Sequence, residues 1–179
     1  FINEANRLIE GTQNVLLPAL DEGIITLPKL SPVYSKESFF VVATQNPDSY
    51  IGTTILSEAL KDRFVWVKLE RQSYEDELDI VTTTANVKSK MKIAEISTKV
   101  CRSTRGHPEI RRGASVRGAI DFAKILSLMD DLSIETVTEI AIMSLATKIE
   151  LEDGVEKSIE DLISEIVQKV MSGDEEGTF

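Results

Sequence analysis

The sequence predicts an α/β fold: part of a parallel sheet, followed by a domain built of helices. Three observations carry this expectation. Phe39-Phe40-Val41-Val42-Ala43 is an unbroken apolar run of β-branched and aromatic residues. Such a run reads as a strand buried on both faces in the middle of a parallel sheet. The run then turns abruptly polar at Thr44-Gln45-Asn46-Pro47, and proline cannot continue a central strand. From Ser73 onward, apolar residues recur at helical spacing and strand-like runs disappear.

Taken in order, Phe1-Ile2 reads as the end of a strand that delivers Asn3, Glu4, Asn6 and Arg7 at its tip, so the chain is expected to begin within a longer sheet. Thr12 is a plausible N-cap for a helix with Val15, Leu16, Ala19 and Leu20 on its apolar face, ended by Gly23. Pro18 should kink or shorten that helix. Ile24–Leu27 and Leu30–Tyr34, with Pro28 and Pro32 about them, read as an irregular hairpin. Asp48–Thr53 reads as a loop and Ser57–Lys61 as a short helix, and Asp62-Arg63 leads into a further strand, Phe64–Val67. The connections are long enough for parallel crossovers.

Beyond this point, Ser73-x-x-Asp76 is a capping-box signal followed by Leu78 and Val81. Ile93, Ile96 and Val100 mark a second helix face. Ser115 caps a third, with Val116, Ala119, Ile120 and Ala123, continuing through Leu126–Leu128. Ser133 caps a fourth, with Ile134, Val137, Ala141 and Leu145. After a turn at Asp153-Gly154, Val155, Ile159, Leu162, Ile163, Ile166 and Val170 form the most regular stripe. The expected division is residues 1–72, 73–171 and a frayed tail, 172–179.

The chain of 179 residues is one domain or a little more, and its 42% hydrophobic content suffices for a core. A net charge of −10 and a pI of about 4.7 argue against a general nucleic-acid binder. The single cysteine, Cys101, excludes an internal disulfide, which fits a reducing, cytoplasmic compartment. Cys101 lies in a helical pattern and reads as a small core residue. The sequence shows no signal peptide and no apolar run of membrane-spanning length. His107 is the only histidine, in a loop before Pro108, and reads as a loop residue; one histidine cannot build a zinc site.

Four residues carry candidate chemistry. In open α/β sheets, ligands bind just beyond the carboxyl ends of strands. Glu4, past one strand end, can orient or activate a water, although such a carboxylate alone also reads as a loop residue. Asn46, past a second strand end, can hold the same water; alone, it also reads as part of a turn. Arg63 precedes a third run and in isolation reads as a salt-bridge partner of Asp62 or Glu58. Arg117 sits in the first turn of the helix beginning after Ser115. A helix N-terminus with a guanidinium is a good phosphate receptor, and the plainer alternative is an exposed arginine after an ordinary N-cap.

These residues lie in four segments, FINEANR, VVATQNP, SEALKDRF and HPEIRRGASVRGAI, each at a strand end or helix start. In order, spacing and context they resemble the MoxR group of AAA+ ATPases, relatives of the magnesium-chelatase ATPase subunit. The resemblance runs from Phe1 to about Ile149. It implies a partial P-loop NTPase core, a parallel sheet, followed by an all-α helical lid with a hinge near Arg71–Ser73. By resemblance, FINEANR is the Walker B strand, with Glu4 as the catalytic glutamate and Asn3 and Glu4 at the positions that serve Mg²⁺. ATQNP is sensor 1, with Asn46 reading the γ-phosphate, and Ile24–Tyr34 is the hairpin before it. KDRF is the arginine-finger segment, with Arg63 reaching the ATP of the next subunit. GASVR is sensor 2, with Arg117 contacting the γ-phosphate of its own subunit.

The resemblance further implies ATP and Mg²⁺ as cofactors and a homo-oligomeric ring, a hexamer. It implies a remodelling or metal-insertion role, often with a partner carrying a von Willebrand A domain. Three departures stand out. Asn3 occupies a position where the family has Asp. No G-x-x-x-x-G-K-[ST] phosphate loop occurs in the chain. Pro18 falls where the family keeps a regular helix. A non-hydrolysing assembly subunit that supplies Arg63 in trans is the alternative reading of Asn3. A plain helical interaction domain is a third.

Overall fold

The computed structural model describes residues 1–46 and 56–173. The expected turn at Pro47, the Asp48–Thr53 loop and most of the tail lie outside the described residues. The chain divides into two units, Phe1–Leu69 and Glu70–Phe179.

In the first unit, Ile2 and Ala43 form a parallel bridge, which joins two strand ends far apart in sequence. A short 3₁₀ turn, Ala5–Arg7, follows the first of them. Helix α1 spans Glu10–Asp21. Its N-cap is Ile9, so Thr12 lies inside the helix and does not cap it. Pro18 removes one backbone donor, yet the helix continues past it to Asp21, and the Pro18 carbonyl still accepts from Glu22 N–H. The expected shortening at Pro18 therefore does not occur. Val15, placed on the apolar face from sequence, is exposed, and Gln13 and Ala19 are the residues buried. The hairpin forms as expected: β1 (Ile24–Ile25) pairs antiparallel with β2 (Val33–Tyr34), with Ile24 opposite Tyr34. Helix α2 is one turn, Glu58–Lys61, and Ser57 Oγ accepts from Leu60 N–H at 3.3 Å.

Two further expectations fail in this unit. The Phe39–Ala43 run is not buried on both faces: Ala43 alone takes part in the bridge, and Phe40 is 82% exposed. Phe64–Val67 forms no strand, and Val65 is 92% exposed. A two-sided parallel strand needs a neighbour on each edge and a layer on each face. Among the described residues, one run finds a single bridging partner and the other finds none. Apolar composition expresses a preference for burial but does not supply the ladder partner.

The second unit is mostly helical. It contains α3 (Tyr74–Thr84), α4 (Met91–Gly106), α5 (Val116–Leu126), α6 (Ile134–Leu145) and α7 (Ile159–Ser172). The caps at Ser73 and Ser133 form as expected, with their hydroxyls accepting from Asp76 N–H at 3.1 Å and Thr136 N–H at 3.4 Å. Ser115 stands at the N-cap of α5, but its side chain makes no capping bond. Helix α7 starts later than the stripe suggests, capped by Ser158, so Val155 precedes it. Leu128 lies past the end of α5 and is exposed. Phe122 and Leu126 of α5 pack in one buried cluster with Val100 of α4, Val137 and Leu145 of α6, and Ile163 of α7. Cys101 belongs to that core, and burial pushes its thiol up to about 12, so it stays neutral.

The unit is not entirely helical. β3 (Ile110–Arg112) pairs antiparallel with β4 (Glu150–Leu151), with Ile110 opposite Leu151. Strands of two or three residues are too short to show alternation, and Arg111 and Arg112 disguise the first of them. Both arginines pair with Glu150 across the ladder. No helix among the described residues is long and apolar enough to cross a membrane.

Candidate functional site at the strand tips

The parallel bridge places the polar ends of two strands side by side. Ile2 N–H donates to Val42 O at 2.9 Å, and Thr44 N–H donates to Ile2 O at 2.9 Å. Ala5 N–H donates to Thr44 O at 2.7 Å. The Thr44 hydroxyl accepts from Glu4 N–H at 3.0 Å and donates to Asn3 Oδ1 at 2.8 Å. Asn6, fully buried, holds the other tip. Its Nδ2 donates to Asn46 O at 3.0 Å, and its Oδ1 accepts from Asn46 N–H at 3.3 Å. Asn3, Glu4 and Asn46 are thus brought together through two residues, Thr44 and Asn6, which the sequence reading assigned no role. Their signal was present in the polar residues that follow each apolar strand end.

Glu4 has a left-handed backbone, φ 52° and ψ 52°. For a residue other than glycine or asparagine this costs on the order of 1–2 kcal/mol. The bond to Thr44 and the 3₁₀ turn beginning at Ala5 hold it there. Its carboxylate meets Arg7 Nε at 2.6 Å, with both side chains more than a third exposed. Such a pair is worth about 1 kcal/mol or less, so a competing ligand can displace Arg7. Thr44→Val keeps the side-chain shape and removes the hydroxyl. It is expected to cost about 1 kcal/mol, the net value of a typical hydrogen bond, read as a lowered denaturation midpoint of the first unit.

Magnesium takes near-octahedral oxygen ligands, usually one or two carboxylates with substrate phosphates and waters. The strand tips offer one carboxylate, already paired with Arg7, and an amide oxygen that receives the Thr44 hydroxyl. Among the described residues, no group of three His, Cys, Asp or Glu side chains could hold a metal. An ion held mainly by substrate phosphates and waters does not need such a cluster, so the expected magnesium role of Asn3 and Glu4 stands as a proposal, and no other role assigned to the tips depends on that ion.

Arg63 follows α2, whose start is tied to α1 by Gln13. Gln13 is buried, accepts from Ser57 N–H at 2.9 Å and donates to Leu8 O at 2.9 Å. Arg63 bonds neither of the partners expected from sequence, Asp62 or Glu58. Its guanidinium forms a two-pronged pair with Asp21, Nε to Oδ1 at 2.5 Å and Nη2 to Oδ2 at 2.6 Å, and Nη1 donates to Ala59 O. Asp21 lies 42 residues away in sequence, so local spacing could not reveal it. The Arg63 hydrogen bonds hold the Asp21 carboxyl below its usual range, and Asp21 raises Arg63 further.

In the second unit, Arg117 is exposed in the first turn of α5 and makes no ion pair among the described residues. The segment before it is clamped. Thr104 Oγ1 accepts from Ala114 N–H at 2.9 Å, and Arg105 Nε donates to Ala114 O at 2.5 Å. Glu77, 1% exposed, receives Arg105 at 2.6 and 2.9 Å and Arg102 at 2.8 Å. Burial alone would raise the Glu77 carboxyl, but Arg105 and Arg102 together bring it below its ordinary value. Nothing in the local spacing of these residues announces this buried triad. His107 uses Nδ1 to accept from Glu109 N–H at 3.3 Å, a loop contact as expected.

Residues 1–66, the stretch carrying the strand-tip cluster and Arg63, match the family described as ATPase family associated with various cellular activities (AAA). This first part of the chain is therefore similar to AAA ATPases. It is 31% identical over 148 residues to the uncharacterised protein YeaC of Bacillus subtilis, covering 68% of this chain and 46% of YeaC. It is 30% identical over 171 residues to the gas vesicle ATPase GvpN of Haloferax mediterranei, covering 89% of this chain and 48% of GvpN. The gas vesicle ATPase GvpN2 of Halobacterium salinarum is also 30% identical over 171 residues, covering 91% of this chain and 47% of GvpN2. The chain spans about half the length of the curated relatives it matches. A solved structure from Cytophaga hutchinsonii, provisionally described as an ATPase, aligns over 94% of this chain and 64% of its own. Its identity of 24% and TM-score of 0.42 add nothing to the assignment.

Proposed function

We propose that this chain is part of a MoxR-type AAA+ ATPase and that the paired strand tips form its hydrolytic edge. The observation that carries the reading is the bonding of the tips: Thr44 joins Asn3 and Glu4, and Asn6 joins Asn46. A carboxylate and a neutral amide carried on backbone held at adjacent strand ends suit the activation of a water. In this reading Glu4, freed from Arg7, accepts a proton from the water, and Asn46 orients it toward the terminal phosphate of ATP. Arg63 serves ATP on a neighbouring subunit after leaving Asp21. Arg117 makes a further contact to a nucleotide phosphate. The phosphate cradle is contributed by sequence outside this chain, which contains no such loop.

The whole protein would assemble as a ring, a hexamer, and use hydrolysis to remodel a partner or insert a metal. A partner carrying a von Willebrand A domain and a cytoplasmic location belong to the same reading. One observation favours a second: Asn3 puts an amide where the family has a carboxylate. On that reading the protein is an assembly subunit that does not hydrolyse ATP and lends Arg63 in trans.

Asn46→Ala and Asn6→Ala test the strand-tip assignment in the full-length protein. Loss of one positioned polar group at a reacting centre typically costs about 10²-fold in kcat. Asn46→Ala is expected to lose about that much steady-state ATP hydrolysis, and Asn6→Ala a part of it, because Asn6 holds only the Asn46 backbone. Unchanged turnover in both variants would refute the role of the tips.

A further inference from the structure

We propose that Arg105, Thr104 and Glu77 are positioning residues that aim Arg117 at a nucleotide phosphate; the inference rests on the reading of Arg117 given above. Three contacts fix the chain three to four residues ahead of Arg117. Both backbone groups of Ala114 are held by side chains from the last turn of α4: its N–H by Thr104 and its carbonyl by Arg105. Gly113 lies directly on the backbone of that turn, where an added Cβ would stand 2.6 Å from Thr104 O and 2.7 Å from Arg105 N. Only glycine allows this approach. Arg105 is in turn oriented by both Glu77 oxygens, from α3.

The clamp stops short of Arg117. Ser115 makes no side-chain cap to its own helix, and Arg117 has no ion-pair partner among the described residues. A rigid base thus carries a free guanidinium, the arrangement that minimises ordering cost when an anion arrives. A purely structural triad would need to hold α3 against α4. It would have no need to bond both polar groups of Ala114, which belongs to neither helix.

The test uses ATP hydrolysis by the full-length protein, with kcat and KM measured separately and helical content and melting as controls. Arg105→Lys keeps a positive charge for Glu77 but loses the Nε bond to Ala114. Thr104→Val keeps shape and loses the other bond, and Thr104→Ser restores a hydroxyl. Arg105→Lys and Thr104→Val are each expected to raise KM for ATP several-fold, up to about tenfold, the size of one lost hydrogen bond. Thr104→Ser is expected to return KM toward the parent value. Arg105→Lys combined with Arg117→Ala should be no worse than Arg117→Ala alone.

If Arg117→Ala leaves KM and kcat unchanged, the phosphate role of Arg117 is wrong and the inference falls with it. If Arg117→Ala raises KM while folded Arg105→Lys and Thr104→Val do not, only the positioning role is overturned. Additive effects in the double variant would also overturn it, since they would mean that Arg105 acts elsewhere.

Discussion

Glu77→Ala is expected to destabilise the helical unit by about 3–5 kcal/mol, the usual consequence of removing one partner from a buried ion pair. Arg105 would remain nearly buried with its charge uncompensated, and Arg102 would lose its strongest contact. The loss would spread to the Gly113–Ser115 segment, because Arg105 orients Ala114. Chemical denaturation followed by circular dichroism reads the shift directly. The pH dependence provides a second check. Glu77 is held below the ordinary carboxyl value of 4.5. The unfolded state therefore binds the proton first, and the stability contributed by Glu77 is present above about pH 4.5 and lost as pH falls through its lower, folded value. Glu77→Gln should lack that acid-side loss. A Glu77→Ala protein as stable as the parent would show that the triad carries little energy.

Glu4→Gln is expected to lower ATP hydrolysis by the full-length protein by about 10²- to 10⁴-fold, the range for removal of a general base. That corresponds to roughly 3–5 kcal/mol of barrier. Glutamine keeps the shape of the side chain and the backbone bond from Glu4 N–H to Thr44. It forfeits only the exposed pair with Arg7, worth about 1 kcal/mol or less. Activity should therefore collapse while the melting temperature barely moves. This separation matters because Glu4 is also a strained residue, and a substitution that relaxed its left-handed backbone could lower activity by disordering the tip. The isosteric change avoids that ambiguity.

Much of the fold was legible where a pattern is local. Ser73 and Ser133 announced their helices because a cap is written within four residues of sequence. The hairpin at Ile24 and Tyr34 was legible from two short apolar pieces around prolines. Long-range features were not. Nothing near Arg63 points to Asp21, nothing near Glu77 points to Arg105, and β3 is hidden in a sequence of two arginines. Phe39–Ala43 and Phe64–Val67 show the opposite error. Their composition states a preference for burial that the described residues do not satisfy. At the site, the order of the four segments brought Asn3, Glu4 and Asn46 forward as candidates. Thr44 and Asn6, which bond those tips, emerged only once the two strands were seen side by side.

The most direct measurement is steady-state ATP hydrolysis by the full-length protein in three forms: unchanged, Glu4→Gln and Asn3→Asp. The account predicts turnover in the unchanged protein, near-complete loss in Glu4→Gln, and activity in Asn3→Asp at least equal to the parent. Turnover that appears only after Asn3→Asp would contradict it, and would mean that this strand tip has lost hydrolysis and serves assembly instead.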